Sequence, residues 1–366
     1  MKINRCAIAL VIFFTCTVIN AQPLVQVERV PDGGIQPRLI QGQDGDIHLI
    51  YFRRHDLNGK KRTGDLYYTQ RITGTDNWQP HVKVSSSSFN HLGPVSKASA
   101  VIDGEGRLHV VWFIPSAGGY RYSRSNKERT SFEPERSPVN TFTEGLDAEA
   151  SISTYNSIVT ITWHAGDLSD EASRSVYTLT SLDSGKTFRN ATEVGDPTLG
   201  ACACCSLASQ YTKDGELQIA YRSAIENDGR HMQFLPLGRG TSLRTVGEWN
   251  INACPVSSNH LMGDWLAFEL QGRLWTIDLS LSENAKPVRH AEVRQKHPTL
   301  AVNHRGDRLL VWGEAPGYFD GGNLKMEMYN ANNKIIETPD HSSKSVAQFS
   351  VAAAIAVSDD EFLILY

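Results

Sequence analysis

Seven copies of one short pattern constrain this 366-residue chain more than any other feature. Each copy is an apolar strand, a tight polar turn carrying Gly or Asp, and a β-branched strand that ends near an aromatic. The first runs through Pro37-Arg-Leu-Ile40 and the turn Asp44-Gly45 to Ile47-His-Leu-Ile-Tyr-Phe52. The second is Ala98-Ser-Ala-Val-Ile102, Gly104-Glu-Gly106 and Leu108-His-Val-Val-Trp112. A third ends in Ile158-Val-Thr-Ile-Thr-Trp163, and a fourth passes Asp214-Gly215 into Leu217-Gln-Ile-Ala-Tyr221. Gly272-Arg-Leu-Trp-Thr-Ile277 is a weaker fifth, Leu300 to Trp312 a sixth, and Val351 to Tyr366 a seventh. Alternation with period two and turn residues between the runs predicts antiparallel hairpins. No segment carries the periodicity of an amphipathic helix.

Spacing turns the repeat into an architecture. The second strands begin at residues 47, 108, 158, 217, 274, 309 and 362. Most intervals hold a four-stranded sheet with its loops; the short one after residue 274 predicts a trimmed sheet. Such a unit cannot bury its own faces, so neighbours must stack. Four-stranded sheets repeated radially make a β-propeller, which leaves only short protected edges. The fold class predicted is therefore all-β: a single propeller domain over residues 22–366, of seven blades, or six if the weak copy is not a blade. An unclosed pair of β-sandwiches is the competing arrangement. The last copy has only two strands, and Leu24-Val-Gln-Val-Glu-Arg-Val30 is placed to complete it, joining the two termini in one blade.

Residues 1–21 read as a secretory signal. Lys2 and Arg5 precede the apolar run Ala7–Val18, and Ala21 offers a small residue for cleavage before Gln22. An uncleaved anchor is the alternative, but the run is short for a bilayer and no later stretch approaches about 20 apolar residues. The expectation is a secreted or periplasmic protein in an oxidising compartment, where disulfides persist. The formal net charge is −4, without a basic stripe, which excludes a nucleic-acid partner.

One local motif stands out. In Ser181-Leu-Asp-Ser-Gly-Lys-Thr-Phe188, Asp183 can accept bonds from turn amides, Gly185 permits a positive φ, and Phe188 can anchor the turn in its blade. Degenerate echoes occur at Thr73–Trp78 and Ser125–Phe132. On these residues the chain resembles the sialidase-like β-propeller superfamily with bacterial neuraminidase (Asp-box) repeats, over residues 24–366. It is most similar to a secreted bacterial branch in which a Cys-x-Cys-Cys segment is followed by Cys-Pro. The resemblance implies that Ser181, Asp183, Gly185, Thr187 and Phe188 are structural and lie away from any catalytic face.

It also implies a test for catalysis. Active members carry an Arg-x-Pro-like segment on the first blade, further arginines for a substrate carboxylate, a Tyr–Glu pair and an acid. A tyrosine nucleophile departs from the usual two-carboxylate scheme. Here the first blade reads Gln36-Pro37-Arg38 instead, so Arg38 reaches the centre in a different register. Arg222 and Arg53 are candidate partners, Tyr318 a candidate aromatic, and Asp56, Asp167, Glu314 and Asp320 candidate acids.

Outside the first 21 residues the cysteines are Cys202, Cys204, Cys205 and Cys254. In a propeller, crossovers to the next inner strand share one face with the loops between second and third strands. Both cysteine segments fall on crossovers of neighbouring blades, so the four sulfurs are expected together near the mouth of the central channel. Crossovers also bring Glu144–Glu149, His260 and His297 there, and His55 and His164 lie on loops of that face. His48 and His109, inside second strands, read as structural. Three readings of the sulfur compete. Disulfides are one, with Cys202–Cys254 or Cys205–Cys254 stapling two blades. A soft-metal site is another, with copper held by Cys202, Cys204, Cys205, Cys254 and His260; the cysteines lack the repeated spacing of a zinc site. A redox-active pair is the third. The functional expectation is a module that binds a glycan, a metal or a protein ligand through this face, with a glycan-active hydrolase as the alternative.

Overall fold

A computed structural model describes residues 22–366, apart from 43, 57–61, 92, 94, 282, 283, 290, 291, 318, 337–340 and 342. The proposed signal segment and Tyr318 lie outside the described residues. Among the described residues there is no α-helix; strands are joined by loops and three short 3-10 turns. No helix there is long and apolar enough to cross a membrane.

Seven sheets follow one another in chain order as the blades of a propeller. Their inner strands are Ile35–Gln41, Ser99–Ile102, Ser151–Tyr155, Ala208–Tyr211, Asn259–Met262, Gln295–Val302 and Ala353–Ser358. Each pairs antiparallel with a second strand, such as Leu108–Ile114 or Ile158–Ala165. These second strands are buried along nearly their whole length. The reason is that both faces of a blade are covered by neighbours, which is why consecutive apolar residues, such as Val110-Val111-Trp112, interrupt the alternation there.

The core is distributed between blades. Ile50 and Phe52 of the first blade pack with Val110 and Trp112 of the second. Val111 and Tyr122 of the second pack with Ile161 and Trp163 of the third. The same arrangement continues around the ring to the last blade, where Leu363 and Leu365 meet Leu49 and Tyr51 of the first. The ring closes as the sequence predicts: Leu24–Glu28 lies beside Glu361–Leu365, pairing Val25 with Phe362 and Val27 with Ile364. The added strand runs parallel to its partner.

One expectation is corrected. Gly272–Ile277 is not the second strand of the fifth blade. That place belongs to Trp265–Leu270, and Arg273–Asp278 is the third strand, reached through the tight turn at Gln271-Gly272. The blade has four strands and is not trimmed. The turn leaves only two residues between second and third strands, so the apolar run of the third was mistaken for the second.

The Ser181–Phe188 segment turns between the third and fourth strands of its blade. Asp183 Oδ1 accepts the Thr187 backbone N–H at 2.9 Å, and its Oδ2 accepts the Thr187 hydroxyl at 2.7 Å. These donors hold the carboxyl well below its ordinary range. Gly185 sits at φ +72°, and a Cβ there would collide with the Tyr122 hydroxyl. Gly185→Ala is therefore expected to lower the unfolding free energy by about 2 kcal/mol. Urea denaturation measures this; an unchanged midpoint would show that the turn relaxes at no cost.

Candidate functional site at the channel mouth

The inner strands surround a cavity of about 310 Å³. Much of its wall is small and apolar, including Ala100, Ala150, Ala352 and Ala354. Its polar groups are mostly at the crossover end: Arg38, Lys97, Glu149, Ser258 and His297. Two bulges aim residues there. Gln36 and His297 both have positive φ, at 55° and 56°, and the strand register shifts beside each. A bulge of this kind bends an inner strand and redirects its side chains. A second cavity of about 710 Å³ lies alongside, lined by Trp249, Cys254, Pro255, Glu269, Arg294 and Lys296. His297 lines both cavities, so they adjoin.

Each cavity carries a buried carboxylate facing a lysine. Lys97 Nζ donates to Glu149 Oε1 at 2.8 Å. Ser206 lies beside the same carboxyl, yet neither its hydroxyl nor Glu149 Oε2 completes a well-formed hydrogen bond. Burial pushes the Glu149 carboxyl above its ordinary value, against the pull of Lys97. In the second cavity Lys296 Nζ is 3.8 Å from Glu269 Oε2, beyond hydrogen-bond reach. Lys296 donates instead to the carbonyls of Pro255 and Val256. Burial also raises Glu269, opposed by Lys296 and Arg222. Arg38 stands in the channel with its Nε unpartnered. Burial lowers its pKa and Glu149 opposes that shift.

The two cysteine segments meet on this face. Cys202 N–H donates to Arg222 O at 2.9 Å, Ser206 N–H to Ser257 O at 3.0 Å, and the His164 ring bonds Cys205 O at 2.8 Å. Arg174, fully buried, donates to Ala201 O at 3.1 Å and also bonds Gly166 O and the His164 ring. Cys204 is bonded to Cys254, stapling the crossover before the fourth blade to the one before the fifth. The expected partner of Cys254 was Cys202 or Cys205. Both of these are more buried than Cys204 and remain thiols, with their sulfurs 3.1 Å apart. Burial acts to raise the Cys205 thiol. The Cys202 thiol, Arg222 and the Ser257 backbone N–H outweigh it and bring Cys205 to about 7. Its bond to Cys205, then burial, holds Cys202 well above the ordinary thiol value.

The copper set does not assemble as expected. The sulfurs of Cys202, Cys204 and Cys205 lie within 4.8 Å of one another, but His260 and Cys254 are not among the ligand atoms gathered there. His260 belongs to an inner strand and faces the channel, where its Nδ1 accepts the Leu300 N–H at 3.1 Å. Cys204 and Cys254, bonded to each other, are not thiolates.

Other sequence candidates are spread around the face. Arg222 is buried beneath it and donates to the carbonyls of Arg230 and Glu269, at 2.8 and 2.7 Å, so it fastens two blades together. Arg53 is exposed and 3.4 Å from Asp32. Asp167 accepts the Ser169 N–H and hydroxyl within its own turn. Glu314 is 3.9 Å from Lys325. His55 bonds Asp65 at 2.8 Å, away from the sulfur. His297 bonds Ser258 at 3.0 Å. Asp56 and Asp320 lie on the loops after the second strands of the first and sixth blades. The residues missed were Lys97, Lys296, Glu269 and Arg174. Glu269 left a signal: it is the one charge in the apolar strand Trp265–Leu270.

No family model matches the chain, and no curated protein matches it. Solved structures of similar fold exist. An α-L-arabinofuranosidase from Fusarium graminearum superposes with a TM-score of 0.53 at 10% identity, covering 82% of this chain and 94% of that one. An α-L-arabinanase from Penicillium chrysogenum gives 0.50 at 12%, covering 84% and 96%. A Hadza microbial sialidase gives 0.42 at 10%, covering 91% and 65%. The first two show the propeller fold.

Six histidines make stability pH-dependent. Burial is the main cause in each case; it brings His48, His91 and His164 to about 4 and His260 and His297 to about 3, and lowers His109 as well. Their folded pKa lies below the unfolded value of about 6.5. Their stabilising contribution is therefore complete above pH 6.5 and is lost as pH falls toward 4. Asp147, Glu149 and Glu269, raised in the fold, act in the opposite sense, but they are three against six. Denaturant midpoints are expected to fall steadily as pH drops below 6.5. A midpoint that rises between pH 7 and 5 would show that these rings already carry charge in the folded chain.

Proposed function

We propose that the protein is a glycan-active propeller hydrolase working at the shared mouth of its two cavities. The observation that carries this reading is the pair of buried carboxyls, Glu149 and Glu269, each with a raised pKa, a facing lysine and an unpartnered oxygen. Glycoside hydrolysis needs one carboxyl that stays protonated near neutral pH to serve the leaving group, and a second that serves as base or nucleophile. Desolvation favours the protonated form at either residue. Glu149 is placed as the acid, because burial dominates its environment and it lines the channel itself. Glu269 is the second carboxyl, with Lys296 favouring its ionised form. Arg38 and His297 supply polar contacts for a sugar at the mouth. The structural neighbours include proteins named as an arabinofuranosidase and an arabinanase; their likeness supports the architecture, while the chemistry proposed rests on the two glutamates.

A second reading follows from one observation. The Lys97–Glu149 bond, at 2.8 Å, favours the ionised carboxylate, whereas an acid must hold its proton. A glycan-binding module without turnover needs no free acid.

A panel of fluorogenic glycosides, including α-L-arabinofuranosides and α-sialosides, separates the two. Hydrolysis of one member is expected, with kcat reduced about 100- to 10,000-fold in Glu149→Gln. Sugar binding without hydrolysis of any member would leave the binding module; hydrolysis unaffected by Glu149→Gln and Glu269→Gln would remove the carboxylate assignment.

A further inference from the structure

The four sulfurs form an unbroken row from the surface into the protein. Cys254 is exposed and lines the larger cavity. It is bonded to Cys204, which is buried. Cys204 Sγ lies 3.7 Å from Cys202 Sγ, and Cys202 Sγ lies 3.1 Å from Cys205 Sγ. One disulfide and two thiols therefore stand in contact, and only the outer end of the row is open to solvent. We propose that this row is a thiol–disulfide relay through which an anionic low-molecular-weight disulfide of the glutathione class oxidises the buried Cys202–Cys205 dithiol by way of Cys254. The relay does not rest on the glycan reading: its outer end shares the second cavity with Glu269, but its chemistry needs no sugar and neither Glu149 nor the channel.

The steps balance. Cys202 loses its proton and attacks Cys204 Sγ; a Cys202–Cys204 bond forms and Cys254 leaves as a thiolate at the surface. Cys254 attacks the external disulfide RSSR, forming a mixed disulfide and releasing the first RS⁻. Cys205 then attacks Cys202 Sγ, making the Cys202–Cys205 bond and freeing the Cys204 thiolate. Cys204 attacks Cys254 Sγ, restoring the original disulfide and expelling the second RS⁻. The net change is two thiols oxidised to a disulfide and RSSR reduced to two RSH, with two protons passed to the leaving thiolates.

The surroundings treat the two thiols differently. Exchange needs a thiolate that can reach a sulfur. Its bond to Cys205 and then burial oppose charge on Cys202, with Arg230 in favour, so Cys202 attacks as it passes its proton to Cys205, where the Cys202 thiol, Arg222 and the Ser257 N–H outweigh burial and favour charge. Beside Cys254 the cavity offers Arg273, Arg294 and Lys296 against Glu269 and Glu292, with Trp249 in its wall. That excess of positive charge fits a disulfide bearing carboxylates, and the volume of about 710 Å³ leaves room for it.

Differential alkylation with mass spectrometry tests this on the full chain. In reduced-glutathione buffer, two thiols at Cys202 and Cys205 are expected with the Cys204–Cys254 bond intact. Addition of glutathione disulfide should remove both thiols, and a rapid acid quench should trap glutathione on Cys254. The double variant Cys204→Ala/Cys254→Ala, which keeps the buried dithiol but not its surface contact, should oxidise at least tenfold more slowly. Glutathione trapped first on Cys202 or Cys205 would overturn the relay. So would equal rates in the double variant, thiols found at Cys204 and Cys254 instead, or a dithiol that does not oxidise. The trapping experiment uses the unaltered chain, so the proposal stays testable if the double variant does not fold, and a silent glycoside panel leaves the outcome untouched.

Discussion

Face-to-face packing between neighbouring sheets is the interaction on which everything else depends. A single blade exposes apolar side chains on both faces and cannot be stable alone. Trp112, Trp163 and Phe268 illustrate the solution: each closes a second strand and is buried against the next or preceding sheet. Because the demand is the same at every interface, the last blade must meet the first. Pairing of Leu24–Glu28 with Glu361–Leu365 meets it with main-chain bonds and supplies the third strand that the final sheet lacks.

Ring closure creates the site as a by-product. Inner strands cannot converge fully on the axis, so a channel remains, and every crossover delivers a loop to the same end of it. Charged groups at those strand ends are drawn out of water by the surrounding sheets. Glu149 and Glu269 are raised by burial, while Lys296 and Arg38 are lowered by it. The same packing that stabilises the ring therefore perturbs the ionisable groups at its mouth, which is the condition under which a scaffold acquires chemistry. Arg222 and Arg174 mark the other use of buried charge. Their guanidinium groups donate to backbone carbonyls and hold the cysteine-bearing crossovers in place.

Much of this was legible in the chain. The alternation around Asp44-Gly45, Gly104–Gly106 and Arg305-Gly306 marked hairpins, because a two-strand turn needs residues that tolerate positive φ. The convergence of Cys204 and Cys254 followed from placing both on crossovers of adjoining blades. The fifth blade was misread because Gln271-Gly272 makes so tight a turn that two strands merge into one apolar stretch. Lys97 and Lys296 were invisible because a lone lysine at a strand end looks like any solvated one; only burial distinguishes it.

By itself the sequence determined the class of fold, the strand that closes the ring and the end of the channel at which sulfur gathers, and narrowed the ring to seven blades or six. These follow from local periodicity and from the order of strands, which the chain carries explicitly. Tertiary structure alone decided which cysteine bonds to Cys254, that His260 faces the channel rather than the sulfur, and that Glu149 and Glu269 each face a lysine out of water. Those outcomes depend on distances between groups some 27 to 52 residues apart in the chain, and such distances are set by how sheets pack around the ring, a property that no single stretch of sequence contains.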